Sequence, residues 1–287
     1  MIVARNEERV IGRTIASLRA QTVRICEVMV VDDGSRDATA DIARALGCIV
    51  ISLPYHEASY VGRPELAARV NVGLKRIREG GIPDFVLQMG ADHGLPPDYV
   101  STLITRMQGR VAIASGRLKG AAYDPRTPIG SGRLVNAYFW GKASGLLYPV
   151  NWGWESWLLL KARSMGYDIR CYGDIETEGR PVRMSDEKAY YWGICMYTLG
   201  YPWYYAFLRS MLRAVSSRRA GLNMLVGYLR HAGLSRLDIA NYVRDLQEQR
   251  FRERVLNLLS NPSSLAQFVN TQGSDRKRIA RSARGDV

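Results

Sequence analysis

Short apolar runs alternate with amphipathic stretches through the first half of this chain, and that alternation most narrows what it can fold into. Glu27–Val31, Cys48–Leu53, Phe85–Met89 and Val111–Ser115 read as buried strands, each a brief apolar run bounded by polar turns. Between them, Arg9–Ala20, Ala38–Leu46, Glu65–Glu79 and Asp98–Met107 carry helical spacing. Strands and helices alternating at this length build βαβ units and a mostly parallel α/β sheet. In such sheets the ligand site lies beyond the carboxyl ends of the strands. Met1–Ala4 reads as a short opening strand, and its brevity leaves room for a start further upstream.

The alternation stops at Gly116–Trp140, where glycines with Pro125 and Pro128 indicate a long ordered loop or a hairpin. Helical patterning resumes at Glu155–Met165, and after Pro202 the chain reads as helical, including Asp238–Leu259. There Ile239, Val243, Leu246, Val255 and Leu258 share one face, with arginines on the other.

Charge is unevenly spread. The net is +13, and the stretch from Tyr205 onward holds 15 Lys/Arg against 6 Asp/Glu. A basic excess at one end suits an anionic partner, either lipid headgroups or nucleic acid. Cys26, Cys48, Cys171 and Cys195 are widely separated and form no zinc spacing, so buried thiols are expected. Charged residues follow the N-terminus at once and no secretory signal is visible, which points to the cytoplasm. Ala189–Leu208 carries no charge, but Gly193, Gly200, Pro202 and its many Tyr and Trp residues fit an interfacial or buried segment better than a membrane span.

The chemistry concentrates at three turns. Val30–Val31–Asp32–Asp33–Gly34–Ser35 brings two carboxylates to a strand end, followed by a glycine turn in which Ser35 or Asp37 can cap the next helix. One carboxylate can accept the imide hydrogen of a nucleobase and the other can hold sugar hydroxyls or basic side chains; a solvated turn with a capping Asp is the plainer alternative. Ala4–Arg5–Asn6–Glu7–Glu8 ends the first strand, and Gly90–Ala91–Asp92–His93 ends a third. Asp92 is an oxygen ligand suited to Mg²⁺ or Mn²⁺. His93 is either a further ligand or a structural histidine.

These segments, with "ARVNVGL" at Ala68–Leu74 and "GADHGLPPDYV", resemble family 2 glycosyltransferases of the GT-A fold from Met1 to about Leu208. The opening turn and "ADHGLPP" are also similar to dolichyl-phosphate mannose synthases, which use GDP-mannose. The resemblance implies that Asp33 binds the base and that Ala4, Arg5, Asn6, Glu7, Asp32, Arg63 and Ala91 line the nucleotide. Asp92 would hold the last place of the family's DxD motif, against the metal-diphosphate. Gly90 stands where that motif carries its first acid, which weakens the case for a cation.

Trp154–Glu155–Ser156–Trp157, running to Gly166–Tyr167, resembles the family's "ED…LxxRxxxxGY" stretch, which puts Glu155 at the place of the catalytic base. The surrounding tryptophans would raise its pKa, and Trp154 could stack on a sugar or a lipid chain. Arg117, Arg180 and Arg183, with Arg69, are candidates for the diphosphate or acceptor. Residues 1–204 are then expected as a GT-A catalytic domain, 205–270 as a basic helical region suited to a membrane surface, and 271–287 as a disordered basic tail. The implied activity is inverting transfer of a mannose- or glucose-type hexose from a GDP- or UDP-sugar to an acceptor, including a lipid-linked one at the cytoplasmic membrane face. The alternatives are a nucleotidyltransferase, against which stands the lack of a glycine- and lysine-rich phosphate loop, and a nucleic-acid-binding protein, for which no motif is present.

Overall fold

Every apolar run expected as a strand in the first half is one, shifted by no more than a few residues. In chain order the computed structural model gives β1 (Ile2–Ala4), α1 (Ile11–Arg19), β2 (Met29–Asp32), α2 (Thr39–Ala45), β3 (Ile49–Ser52), α3 (Pro64–Glu79), β4 (Phe85–Gly90), α4 (Tyr99–Arg106) and β5 (Val111–Leu118). Residues 1–180 and 185–260 are described, without the side chains at 254, 255 and 257–260. Helix α1 shows why the pattern held: Ile11, Ile15 and Leu18 recur at helical spacing and are all buried. Each such aliphatic side chain contributes about 1.5–3 kcal/mol when fully removed from water.

The stretch expected as a long loop is more ordered. β5 continues into it as far as Leu118, and it contains β6 (Arg133–Asn136) and the start of α5 (Ala137–Ser144), which Asn136 caps by accepting from the Phe139 N–H. After α6 (Trp154–Ser164) comes β7 (Asp168–Thr177), a ten-residue strand that the sequence reading missed. The seven strands form one sheet in the order β3-β2-β1-β4-β6-β5-β7. Only β6 runs antiparallel to its neighbours; the β1–β2, β1–β4, β2–β3 and β5–β7 pairs are parallel. β1 lies between β2 and β4, so the turns after these three strands open at one edge of the sheet.

The chain divides into two compact units, Met1–Arg183 and Met184–Val287. The sequence reading had placed this division at 204. The second unit holds α7 (Asp186–Thr198), α8 (Trp203–Ser216), α9 (Arg218–Arg230) and α10 (Ala240–Ser260). Residues 189–204 go with it because α7 and α9 pack backbone to backbone. A Cβ on Gly193 would stand 2.0 Å from the Met224 carbonyl, and one on Gly227 would stand 2.1 Å from that of Tyr190. Gly200 and Pro202 split the uncharged stretch between α7 and α8, and no described helix is long and apolar enough to cross a membrane. Cys48, Cys171 and Cys195 are buried as expected, whereas Cys26 is exposed. The tail from Thr271, with the side chains of Val255 and Leu258, lies outside the described residues.

Candidate functional site

The turns after β1 and β2 are knitted into one platform. Asn6, at φ +54°, receives the Arg36 N–H on its Oδ1 at 2.9 Å and donates its own N–H to Ser35 Oγ at 2.9 Å. The Glu7 N–H reaches Thr39 Oγ1 at 2.7 Å, the Glu8 N–H reaches Asp37 Oδ2 at 3.1 Å, and Glu8 Oε2 accepts the Ala38 N–H at 3.1 Å. Burial pushes the Asp37 carboxyl up, but hydrogen bonds from Thr39 and from the Glu8 and Thr39 amides outweigh it and hold the pKa below the usual carboxylate range. Ser35 therefore serves the first turn instead of capping α2. Ala4 is buried in β1, and its carbonyl accepts the Asp33 N–H at 2.8 Å.

Asp32 and Asp33 are both almost fully buried, at 5% and 4% exposure. Asp32 Oδ1 accepts the Ser35 N–H at 3.1 Å, which closes the turn at Gly34. Gly34 needs to be glycine: its φ is +72°, and a Cβ would meet Tyr55 Cα at 2.7 Å. Asp33 faces two bases, with His56 Nε2 3.1 Å from Oδ2 and Arg69 Nε 3.3 Å from Oδ1. Neither contact is aligned as a hydrogen bond, for Asp33 Oδ1 and His56 Nε2 are buried without a partner. A buried carboxylate oxygen left in that state keeps its accepting capacity for an incoming donor group.

The loop after β3 walls this carboxylate. His56 stacks on Tyr60 with centroids 3.9 Å apart, and Arg36 lies 3.6 Å from the Tyr55 ring centre. Arg5 donates to the carbonyls of His56 and Ala58, so it shapes this wall. Sequence reading missed Tyr55, His56 and Tyr60; the aromatic run "PYHEASY" directly after an apolar strand was the available signal. Arg63 is the N-cap residue of α3, and its carbonyl accepts the Trp154 indole N–H at 3.2 Å.

The third turn is held by an arginine. Arg180 Nε donates to Asp92 Oδ2 at 2.7 Å, and Arg180 Nη2 donates to Glu7. Asp92 first and Glu7 second push the guanidinium's pKa still higher, so it stays cationic. Asp92 and Glu7 are partly exposed, at 25% and 22%, and come from the ends of β4 and β1. The Ala91 carbonyl is anchored by Thr14 Oγ1 at 2.7 Å. A Cβ on Gly90 would lie 3.2 Å from Asp92 Oδ1, so position 90 borders the carboxylate.

Among the described residues no group of three or more His, Cys, Asp or Glu side chains is arranged to hold a metal. Asp92 nevertheless fits a cation that takes most of its other ligands from phosphate and water, as Mg²⁺ commonly does. His93 is 4% exposed, with its ring packed against Gly132 and Gly179, and burial pushes its pKa down. This placement suits a packing residue better than the cation ligand entertained from sequence.

Glu155 sits in the first turn of α6, behind Gly153 at φ +81°. It is exposed, while Trp154 and Trp157 turn into the core at 6% and 3% exposure. The apolar enclosure expected around Glu155 is therefore absent, and Trp154 packs edge-on against Tyr148 at 4.7 Å. The loop 130–132 relates Glu155 to the third turn. A Cβ on Gly130 would stand 3.2 Å from Glu155 Oε1, and Ser131 Oγ next door accepts the Gly90 N–H at 2.8 Å. Tyr148, pushed up to about 12 by burial, donates to Gln88 Oε1 at 2.6 Å, and its backbone is clasped by Asn71 of the "ARVNVGL" helix. Arg117 pairs with Glu176 at 2.5 Å and belongs to the β5–β7 edge. Arg183 lies outside the described residues.

A mostly parallel sheet with acidic turns at the carboxyl ends of β2, β1 and β4 defines the GT-A class of nucleotide-diphospho-sugar transferase folds. Residues 1–143 match the model of Glycosyl transferase family 2. A 55-residue stretch is 44% identical to 4,4'-diaponeurosporenoate glycosyltransferase of Staphylococcus haemolyticus (strain JCSC1435), covering 19% of this chain and 14% of that protein. The chain thus spans about a seventh of that curated relative. Among solved structures it is similar to glucosyl-3-phosphoglycerate synthase from Mycobacterium tuberculosis in complex with Mn²⁺, UDP and glucosyl-3-phosphoglycerate. The TM-score there is 0.51 and the identity 19%, over 69% of this chain and 76% of that one. The same enzyme with Mg²⁺ and UDP gives a TM-score of 0.50.

Proposed function

We propose that this chain is an inverting glycosyltransferase that moves a mannose- or glucose-type hexose from a GDP- or UDP-sugar to an acceptor hydroxyl. A lipid-linked acceptor at a membrane face is the class that the basic C-terminal helices suit. The observation that carries the reading is the convergence of Asp33, Glu7 and Asp92 from the ends of three adjacent strands. The mycobacterial glucosyl-3-phosphoglycerate synthase, whose fold this chain shares, was solved with UDP, Mn²⁺ and glucosyl-3-phosphoglycerate.

In this reading Asp33, whose buried Oδ1 accepts no hydrogen bond, takes the imide N–H of the base, and the Tyr55–Tyr60 wall covers the nucleoside. Arg180 stands over Asp92 and Glu7, where the diphosphate must arrive, and supplies a fixed positive charge to the leaving group. A divalent cation held by Asp92 would add a second one. Glu155 lies across the Gly130–Ser131 loop from that point and takes the acceptor proton as the anomeric carbon is attacked from the face opposite the diphosphate. Its exposure leaves its side of the site open to an acceptor.

The test separates the two halves of the reaction. Glu155→Gln should retain donor nucleotide affinity while transfer falls by roughly a hundredfold or more, the usual contribution of a positioned base. Turnover unchanged by that substitution removes Glu155 from the role.

A further inference from the structure

The α8–α9 hairpin carries an exposed apolar surface. α9 packs on α8 where Gly221 meets Ser210 and Ala214, and on α7 where Gly227 meets Tyr190. The remaining side of α8 steps through Trp203, Phe207, Met211 and Val215, each four residues after the last. These are 70%, 47%, 54% and 60% exposed. On α9, Leu222 and Leu229 are 62% and 59% exposed, and they lie seven residues apart on one stripe. With Ser217 as the only residue between the helices, helical periodicity turns both stripes to the same side of the hairpin. A continuous exposed apolar surface of this kind marks an interaction site.

Charge decides the occupant. From Trp203 to Arg230 there are five arginines, Arg209, Arg213, Arg218, Arg219 and Arg230, and no acidic residue. Arginines flanking a stripe of Trp, Phe, Met and Leu match an anionic lipid surface, with the rings at headgroup level and the guanidinium groups on phosphates. A nucleic acid would use the arginines but leave the aliphatic side chains facing water. The sequence beyond residue 260 is itself basic, with Arg276, Lys277, Arg278, Arg281 and Arg284 against Asp275 and Asp286, and so does not complement this face in charge.

The geometry points to the α8–α9 hairpin as a docking surface for anionic membranes, on which the protein lies without spanning the bilayer. This surface stands apart from the donor-site reading, and either can fail alone.

The experiment is flotation of the full chain with two kinds of vesicle, pure phosphatidylcholine and a mixture rich in phosphatidylglycerol. The protein should float with the anionic vesicles only. Trp203→Ser/Phe207→Ser/Met211→Ser, all exposed positions, should abolish flotation while circular dichroism and the nucleotide-induced thermal shift stay unchanged. Arg218→Ser/Arg219→Ser should weaken anionic binding roughly thirtyfold, at roughly fivefold per arginine near the surface. No flotation of the wild type, equal flotation on both vesicles, or flotation of the triple variant each overturns the proposal. So does a wild-type dimer in sedimentation that the triple variant abolishes, since a second copy would then cover the face.

Discussion

Replacing Gly90 with aspartate sets a second carboxylate beside that of Asp92. The backbone at 90 is outside the left-handed region, so a side chain is tolerated there. The new Cβ meets Asp92 Oδ1 at 3.2 Å and Ser131 Oγ at 3.5 Å, both on side chains that can shift. Two carboxylates about 5 Å apart repel by about 3 kcal/mol at an effective dielectric of 20 and by about 1 kcal/mol in water. Asp92 is 25% exposed, so its environment lies between these limits. Arg180 offsets part of the repulsion. The variant should therefore melt lower than wild type in a chelator. A cation shared by both carboxylates reverses this, and at one hundred times its dissociation constant it returns about 2.7 kcal/mol. The assay is thermal unfolding of both proteins in EDTA and in graded Mn²⁺, without donor. Gly90→Asp should gain several degrees in Mn²⁺ while wild type gains little. A folded variant that responds to Mn²⁺ no more than wild type would show that position 90 does not face the cation and diphosphate.

Arg180→Gln should weaken binding of a nucleoside diphosphate by roughly tenfold or more through loss of a charge-assisted contact, with affinity for the bare nucleoside unchanged; competition titrations compare the two. A further check uses Tyr148. Its folded pKa of about 12 exceeds an unfolded value near 10, so its stabilising effect is complete below pH 10 and disappears as pH rises towards 12. Urea midpoints at pH 9 and 11 should fall by more in wild type than in Tyr148→Phe; equal falls would contradict the burial argument.

The first half of the fold was legible because its strands are apolar runs closed by polar turns, and its helices bury stripes such as Ile11, Ile15 and Leu18. β7 was not legible. Asp168, Asp174 and Glu176 break its apolar run, and it becomes a strand only because β5 lies beside it. The same limit applied to the site. Asp32, Asp33 and Asp92 announce themselves locally, but His56 finds Asp33, and Arg180 finds Asp92 and Glu7, across long stretches of chain. Glu155 was misjudged in its surroundings because neighbouring tryptophans in sequence point to the opposite side of a helix. The division falls at 183/184 and not at 204, because Gly193, which reads in sequence as an interruption, is where α7 meets α9 backbone to backbone.

The central claim is that Asp33 receives the base of a nucleoside diphosphate sugar. Calorimetric titration of wild type and Asp33→Asn with UDP and with GDP tests it most directly. Wild type should bind one of the two, and the variant should bind it roughly ten- to hundredfold more weakly, the loss expected for a hydrogen bond to a charged group. Failure of wild type to bind either nucleotide, or an undiminished affinity in Asp33→Asn, would contradict it.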